Sequence, residues 1–245
     1  MGNFFSKAGI HLKMLGEVVR TAGVYYGGNP VAVARFTRAY LRVRRHTHVS
    51  LIDLLHLRSL IEQIGRDGLQ GDLVECGAWR GGSSAFLYKR ARDLGIDPEI
   101  YIYDSFEGFP APAAERIDGR KAQGINQGKF DWIKADREDV VAIFKQLGLY
   151  SEKVHIVKGW FCDTTPQSPV RKIVLLHCDG DLYQSTKDTL DSFYAKVVSG
   201  GYIVSNDYGD VWIGAKKAVD ECVAANCPGV IIHKIPGGGA YFRKP

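Results

Sequence analysis

The chain has 245 residues, of which 45% are hydrophobic and 24% charged, with a formal net charge of +5. That is enough apolar content for the core of one α/β domain with an extension, while the absence of a long apolar run or an h-region with a cleavage site predicts neither a transmembrane helix nor a secretory signal. The five cysteines form no C-x-x-C pair, and this odd, unpatterned set predicts a reduced, cytoplasmic protein in which Cys76 and Cys178 serve as small buried hydrophobes.

Residues 1–45 hold eight basic residues against Glu17 alone, so the segment carries +7 and the remainder about −2. Helix-like spacing over 4–20 and 31–43 is interrupted by Gly27, Gly28, Asn29 and Pro30. The basic face is either an ordinary solvated one or a contact for an anionic surface, a phosphorylated substrate or a partner subunit. The basic, interrupted amphipathic pattern lacks the sustained apolar face of an interfacial helix, so the segment is expected to serve the acceptor pocket or a homo-oligomer contact rather than a membrane anchor. No DNA- or RNA-binding module is present, so no nucleic-acid partner is expected. A third helix follows over about 50–65, from the recurrence of Leu51, Leu54, Leu55, Leu57, Leu60, Ile61 and Ile64.

From there strands and helices alternate. Strands are predicted near 72–76, 99–103, 153–157, 172–178, 200–205, 229–234 and 239–243, and helices near 82–94, 134–148, 183–198 and 212–225. Such alternation gives a mostly parallel sheet covered on both faces. The last two strands flank PGGG with no room for a helix, so they form an antiparallel hairpin at the edge. Residues 106–130 show no clear period and read as a long functional loop, a lid.

The stretch LVECGAWRGGSS, Leu73 to Ser84, reads as a buried strand ending in Glu75, a glycine turn at Gly77, Gly81 and Gly82, and a helix start that Ser83 and Ser84 can cap. A strand, turn and helix of this kind aims backbone N–H groups at a carboxylate or phosphate, although an ordinary αβ turn uses the same residues. A dinucleotide fingerprint needs Gly where this chain has Trp79. The indole suits a ligand lying beside the turn, such as the amino-acid end of S-adenosylmethionine.

In an open α/β sheet ligands bind at the carboxyl ends of the strands, and polar residues gather there. Asp104 ends the second strand, placed either to accept from two ribose hydroxyls or to cap a turn. Trp160 and Phe161 follow the third strand and offer an aromatic wall for adenine, or plain core packing. The fourth strand runs into His177, Cys178, Asp179, Gly180 and Asp181, and the fifth into Asn206 and Asp207. Asp179, Asn206 and Asp207 at neighbouring strand ends are oxygen donors suited to Mg²⁺, Mn²⁺ or Ca²⁺, though caps for the following helices are the competing use. Asp181 fits the cap better than the site, and His177 reads as structural.

This ordered set, through HTHVSLIDLLHL, GDLVECGAWRGGSS, YDSFEGFP, VHIVKGWFCDTTP, LLHCDGDLYQST and GGYIVSNDYGDVWIGAKKAVDE, resembles the macrocin O-methyltransferase family from about His46 to the C-terminus. The resemblance implies an N-terminal helical extension over 1–66 and a Rossmann-like S-adenosylmethionine-dependent methyltransferase domain over 67–245. It implies that Glu75, Gly77, Gly81 and Ser83 shape the methionine end of the cofactor site and that Asp104 is the ribose acid. It implies that Asp179, Asn206 and Asp207 hold Mg²⁺ or Mn²⁺, with Asp179 also the general base, and that the acceptor is a hydroxyl of a sugar or glycosylated small molecule. The family's commoner metal pair is Asp-Asp, so Asn206 removes one charge from that site. Two other readings compete: a non-catalytic cofactor-fold protein acting through its basic arm, and a nicotinamide oxidoreductase, which Trp79 disfavours.

Overall fold

The computed structural model describes the backbone of residues 2–245 and the side chains from Leu12 onward. Lys7, one of the eight basic residues of the N-terminal segment, therefore lies outside the described side chains. Three helices come first: α1 (Gly2–Tyr25), α2 (Pro30–Val43) and α3 (Leu51–Asp67). Gly27 and Gly28 adopt left-handed backbone between α1 and α2, and Asn29 then caps α2, its Oδ1 accepting from the N–H groups of Val31 and Ala32 at 3.1 Å. Pro30 occupies the first helical position, where a missing N–H costs nothing. Ser50 caps α3 in the same way, and Gly68 ends it in the left-handed region.

The alternating part runs β1 (Asp72–Cys76), α4 (Gly82–Asp93), β2 (Ile100–Asp104), α5 (Glu115–Asn126), α6 (Arg137–Gln146), β3 (Val154–Lys158), α7 (Phe161–Thr164), β4 (Ile173–Cys178), α8 (Tyr183–Phe193), β5 (Val197–Ser205), α9 (Ile213–Asn226), β6 (His233–Lys234) and β7 (Ala240–Arg243). The sheet order is β3-β2-β1-β4-β5-β7-β6, parallel from β3 to β5, with β7 antiparallel to both of its neighbours. This is the expected doubly wound sheet with a terminal hairpin. The chain leaves β1 toward β2 on one side and β4 on the other, so the strand order reverses at β1, where a crevice opens.

The period of two along the strands sends alternate side chains to two cores. Leu73, Ile100, Ile102, Leu175 and Val204 pack with the helices preceding β1, α4 and α6. Val74, Cys76, Tyr101, Tyr103, Leu176 and Cys178 pack with α8 and α9. Glu75 and His177 are adjacent across β1 and β4, and both are fully buried.

Three expectations change. The stretch read as a long loop contains α5, which is bent where Gly119 takes φ 61°, ψ −140°. Its sequence, ERIDGRKAQGIN, is too polar and glycine-broken to show a period. The helix predicted to 198 ends at Phe193, because β5 begins at Val197 rather than 200. The strand predicted over 229–234 shrinks to His233–Lys234. Among the described residues no helix is long and apolar enough to cross a membrane.

Candidate active site

At the carboxyl ends of β1, β2, β4 and β5 lies a cleft of about 420 Å³. Gly77, Trp79, Ser83, Asp104, Trp160, Phe161, Asp179, Asn206 and Asp207 all line it. Two residues assigned to the cofactor site do not. Gly81 sits behind the turn as the N-cap of α4, φ 76°, against Val140. Glu75 lies beneath the cleft: His177 Nδ1 is 2.7 Å from one carboxylate oxygen, and Ser84 Oγ donates to the other. A carboxylate one strand position before the glycine turn reads as a ligand in sequence, yet here it is spent on a buried pair.

The turn is held from below. Asp104 Oδ2 accepts from the backbone N–H groups of both Ala78 and Trp79 at 2.8 Å, and its Oδ1 accepts from Phe106 N–H at 2.7 Å. Burial raises the Asp104 pKa, and those three N–H groups oppose the rise. Two of the N–H groups expected to face a ligand are therefore committed within the protein. Trp79 takes the left-handed φ of 49° that this grip requires. Gly77 approaches β4 so closely that a Cβ would stand 1.8 Å from the Asp179 carbonyl oxygen. Gly82 N–H donates to His46 C=O at 2.8 Å, which ties the segment before α3 to the start of α4. Neither Ser83 nor Ser84 caps that helix; both are buried in its first turn.

The far end of the cleft is acidic. Asp207 is buried and lines the cleft together with Asp179 and Asp181. Burial pushes the Asp207 pKa up to about 7, against the pull of His177 nearby. Burial, reinforced by Asp207 and other carboxylates, raises Asp179 and Asp181 well above the ordinary range. Asn206 Oδ1 and Asp207 Oδ2 are buried with no hydrogen-bond partner. Two orphaned oxygens beside a crowded carboxylate fit a hard divalent cation, whose charge would relieve the repulsion.

Asp181 is the residue that sequence reading misassigned. The N-cap of α8 is Leu182, and Asp181 makes no capping bond. It takes φ 61° and its side chain lines the cleft beside Asp179 and Asp207. The cap is supplied from α5: Asp118 Oδ1 accepts from Tyr183 N–H at 2.7 Å. Three residues on, Lys121 Nζ stands 4.4 Å from the Trp212 ring centroid and 5.1 Å from that of Phe130. Aromatic side chains continue round the mouth. The His48 ring centroid is 4.0 Å from Trp79 and 5.1 Å from Trp132, and Phe109 contacts both Phe130 and Trp212. No local sequence signal marked this arc, because His48, Trp79, Phe109, Phe130, Trp132 and Trp212 come from separate parts of the chain.

Known proteins resemble this chain in sequence and in fold. The macrocin O-methyltransferase (TylF) family model matches residues 16–244. This chain belongs to that family. It is 35% identical over 201 residues to the demethyldecarbamoylnovobiocin O-methyltransferase of Streptomyces niveus, covering 81% of this chain and 76% of the relative. It is 31% identical to the mycinamicin III 3''-O-methyltransferase of Micromonospora griseorubida, covering 81% and 78%. Among solved structures the O-methyltransferase NovP superposes with a TM-score of 0.75 at 32% identity, covering 81% of this chain and 82% of NovP. The calicheamicin methyltransferase CalS11 shares the fold, with a TM-score of 0.63 at 20% identity over 93% of this chain and 91% of CalS11. Membership makes the chain an S-adenosylmethionine-dependent O-methyltransferase. It also sets aside the oxidoreductase and non-catalytic readings.

Proposed function

We propose that this O-methyltransferase acts on a hydroxyl of a sugar or glycosylated small molecule, with a divalent cation held by Asp179, Asn206 and Asp207. The observation that carries the reading is the pair of orphaned buried oxygens of Asn206 and Asp207 beside Asp179, at the opposite end of one cleft from the braced glycine turn. The relatives named above for their action on glycosylated antibiotics support the acceptor class.

S-adenosylmethionine is placed along the cleft floor. Gly77 and Ser83 flank its methionine end, the lone pairs of Asp104 left free by the backbone take the ribose hydroxyls, and Trp160 with Phe161 offer a wall for the adenine. Trp79 shields the reacting methyl from bulk water. The acceptor enters under the arc of His48, Trp132 and Phe130, whose faces suit the C–H side of a sugar ring. Its hydroxyl oxygen bonds to the methyl carbon as the carbon–sulfur bond breaks, and S-adenosylhomocysteine leaves. The hydroxyl proton passes to a carboxylate. When bound, Mg²⁺ or Mn²⁺ lowers the pKa of the acceptor hydroxyl and orients it. Asp179, which helps hold that cation, is also the general base that receives the proton, and Asp181, which lines the same cleft and makes no capping bond, is a second carboxylate placed to accept it. Positioning supplies much of the remaining acceleration, since well-oriented reactants reach effective molarities on the order of 10⁵–10⁸ M.

The test is S-adenosylhomocysteine release from S-adenosylmethionine over a panel of free and glycosylated deoxysugars, a catechol, a thiol and an amine, with and without Mg²⁺. Metal-dependent turnover on a glycosylated acceptor supports the reading. Turnover only on a catechol, a thiol or an amine overturns it.

A further inference from the structure

The N-terminal segment has features that the catalytic cleft does not use. Leu12, Leu15 and Val19 recur at helical spacing on α1 and are 70%, 38% and 43% exposed. On α2, Val31 and Leu41 are 56% and 39% exposed. Among the described residues, six of the exposed large hydrophobic ones fall between Leu12 and Leu41. Where the two helices pack, Val19, Val33, Ala34 and Leu41 line one shallow groove, and Arg38 and Arg42 form its edge. Arg35, Arg38 and Arg42 share the exposed face of α2 at i, i+3 and i+7, and with Lys89 they line the next groove. Among the described residues none of these three arginines forms an ion pair.

We infer that the paired α1 and α2 form a docking face for an anionic membrane surface. The basic, interrupted pattern of residues 1–45 lacks the sustained apolar face of an interfacial helix, which is why sequence reading set a membrane aside. Pairing brings Val19 of α1 together with Val33, Ala34 and Leu41 of α2 in one groove that Arg38 and Arg42 also line. Aliphatic side chains flanked by uncompensated arginines are the complement of acyl chains under anionic headgroups. A second copy of this chain fits less well, because a two-fold contact through this face sets arginine against arginine. A specific protein partner is built round a buried aromatic or arginine anchor in a pocket, whereas the groove between these helices is shallow and lined by aliphatic side chains.

The test is flotation of the full chain, at physiological salt, with vesicles of phosphatidylcholine alone or mixed equally with phosphatidylglycerol. The protein is expected to float with the mixed vesicles only. Arg35→Gln, Arg38→Gln and Arg42→Gln together should weaken partitioning about a hundred-fold, near five-fold for each charge removed. Leu15→Ser with Leu41→Ser should leave binding that high salt abolishes. All five positions are exposed, and an unchanged melting temperature and S-adenosylmethionine affinity verify that each variant is folded. Failure to float with either vesicle overturns the proposal, as does equal flotation with both. A dimer in light scattering that Leu41→Glu dissociates, without flotation, assigns the face to a second copy instead. None of these readouts depends on the acceptor or on catalysis, so the proposal stands or falls apart from the enzymatic reading.

Discussion

Asp104 accepts the backbone N–H of Trp79 at 2.8 Å, so the acid that closes β2 also fixes the turn that follows β1. The same oxygen takes the Ala78 N–H, and the other takes that of Phe106. One side chain thus couples the strand end that should meet a ribose to the loop that should meet the methionine end.

Asp104→Ala is therefore expected to affect both stability and ligand binding. It leaves three backbone donors without their partner and removes a charge-assisted acceptor worth roughly 1.5–3 kcal/mol. Asp104→Asn keeps one carbonyl oxygen and should fall between the parent and the alanine variant. Thermal melts together with calorimetry of S-adenosylhomocysteine separate the two effects. A variant that melts lower yet binds as tightly as the parent shows that Asp104 only braces the turn.

A second prediction concerns the cover of the cleft. Asp118 reaches from α5 to cap α8 through Tyr183 N–H, and Gly214 lies so close that a Cβ there would collide with the Asp118 carboxylate. Asp118→Ala should cost about 0.5–2 kcal/mol, as loss of a helix cap does. Because α5 carries Lys121 against Trp212, the same change should loosen the cover and raise the KM for acceptor more than that for S-adenosylmethionine. Steady-state kinetics with each substrate varied in turn decides it; equal changes in both constants would show that α5 does not bear on acceptor binding.

These two residues mark where sequence reading succeeds and where it stops. The strand ends were legible because each apolar run stops at a polar residue, and parallel pairing then gathers Asp104, Asp179, Asn206 and Asp207 at one edge. Long-range polar contacts left no such trace. The Asp118 bond to Tyr183 spans 65 positions and the Glu75 bond to His177 spans 102, so neither produces a local pattern. Asp181 was misread for a related reason. An acid just before a helix is the usual cap, but the left-handed φ of 61° turns this one into the cleft.

Gly77 offers a test of the backbone alone. Its φ of 98° and a Cβ position 1.8 Å from the Asp179 carbonyl leave no space for alanine unless β1 or β4 moves. Gly77→Ala should therefore displace Asp179 and lower metal-dependent activity, even though residue 77 offers no side chain to the metal. The control is Gly95→Ala, which has a similarly positive φ of 76° but open space around it. It should lower stability through backbone strain while leaving kcat unchanged. If the two variants lose activity in parallel, general destabilisation rather than the approach to Asp179 accounts for the effect.

The metal prediction follows from the donor set. Asn206 and Asp207 each present a buried oxygen with no partner, and Asp179 lies against Asp207. Activity should disappear in excess EDTA and return with Mg²⁺ or Mn²⁺. Asp179→Ala should lose metal binding outright, because removing it deletes a charged donor that neither Asn206 nor a water replaces. Asn206→Asp adds a third negative charge to the set. With a cation present that charge should tighten Mg²⁺ binding; without one it should lower the melting temperature, because burial and like charges both oppose ionisation there. The two responses have opposite signs, so melting the parent and Asn206→Asp across a Mg²⁺ titration distinguishes an occupied centre from a merely acidic pocket. A larger Mg²⁺-induced rise in the variant supports the centre. Identical curves for the two proteins, or full turnover in EDTA, would remove Asn206 and Asp207 from the metal and leave the carboxylates to act as proton acceptors alone.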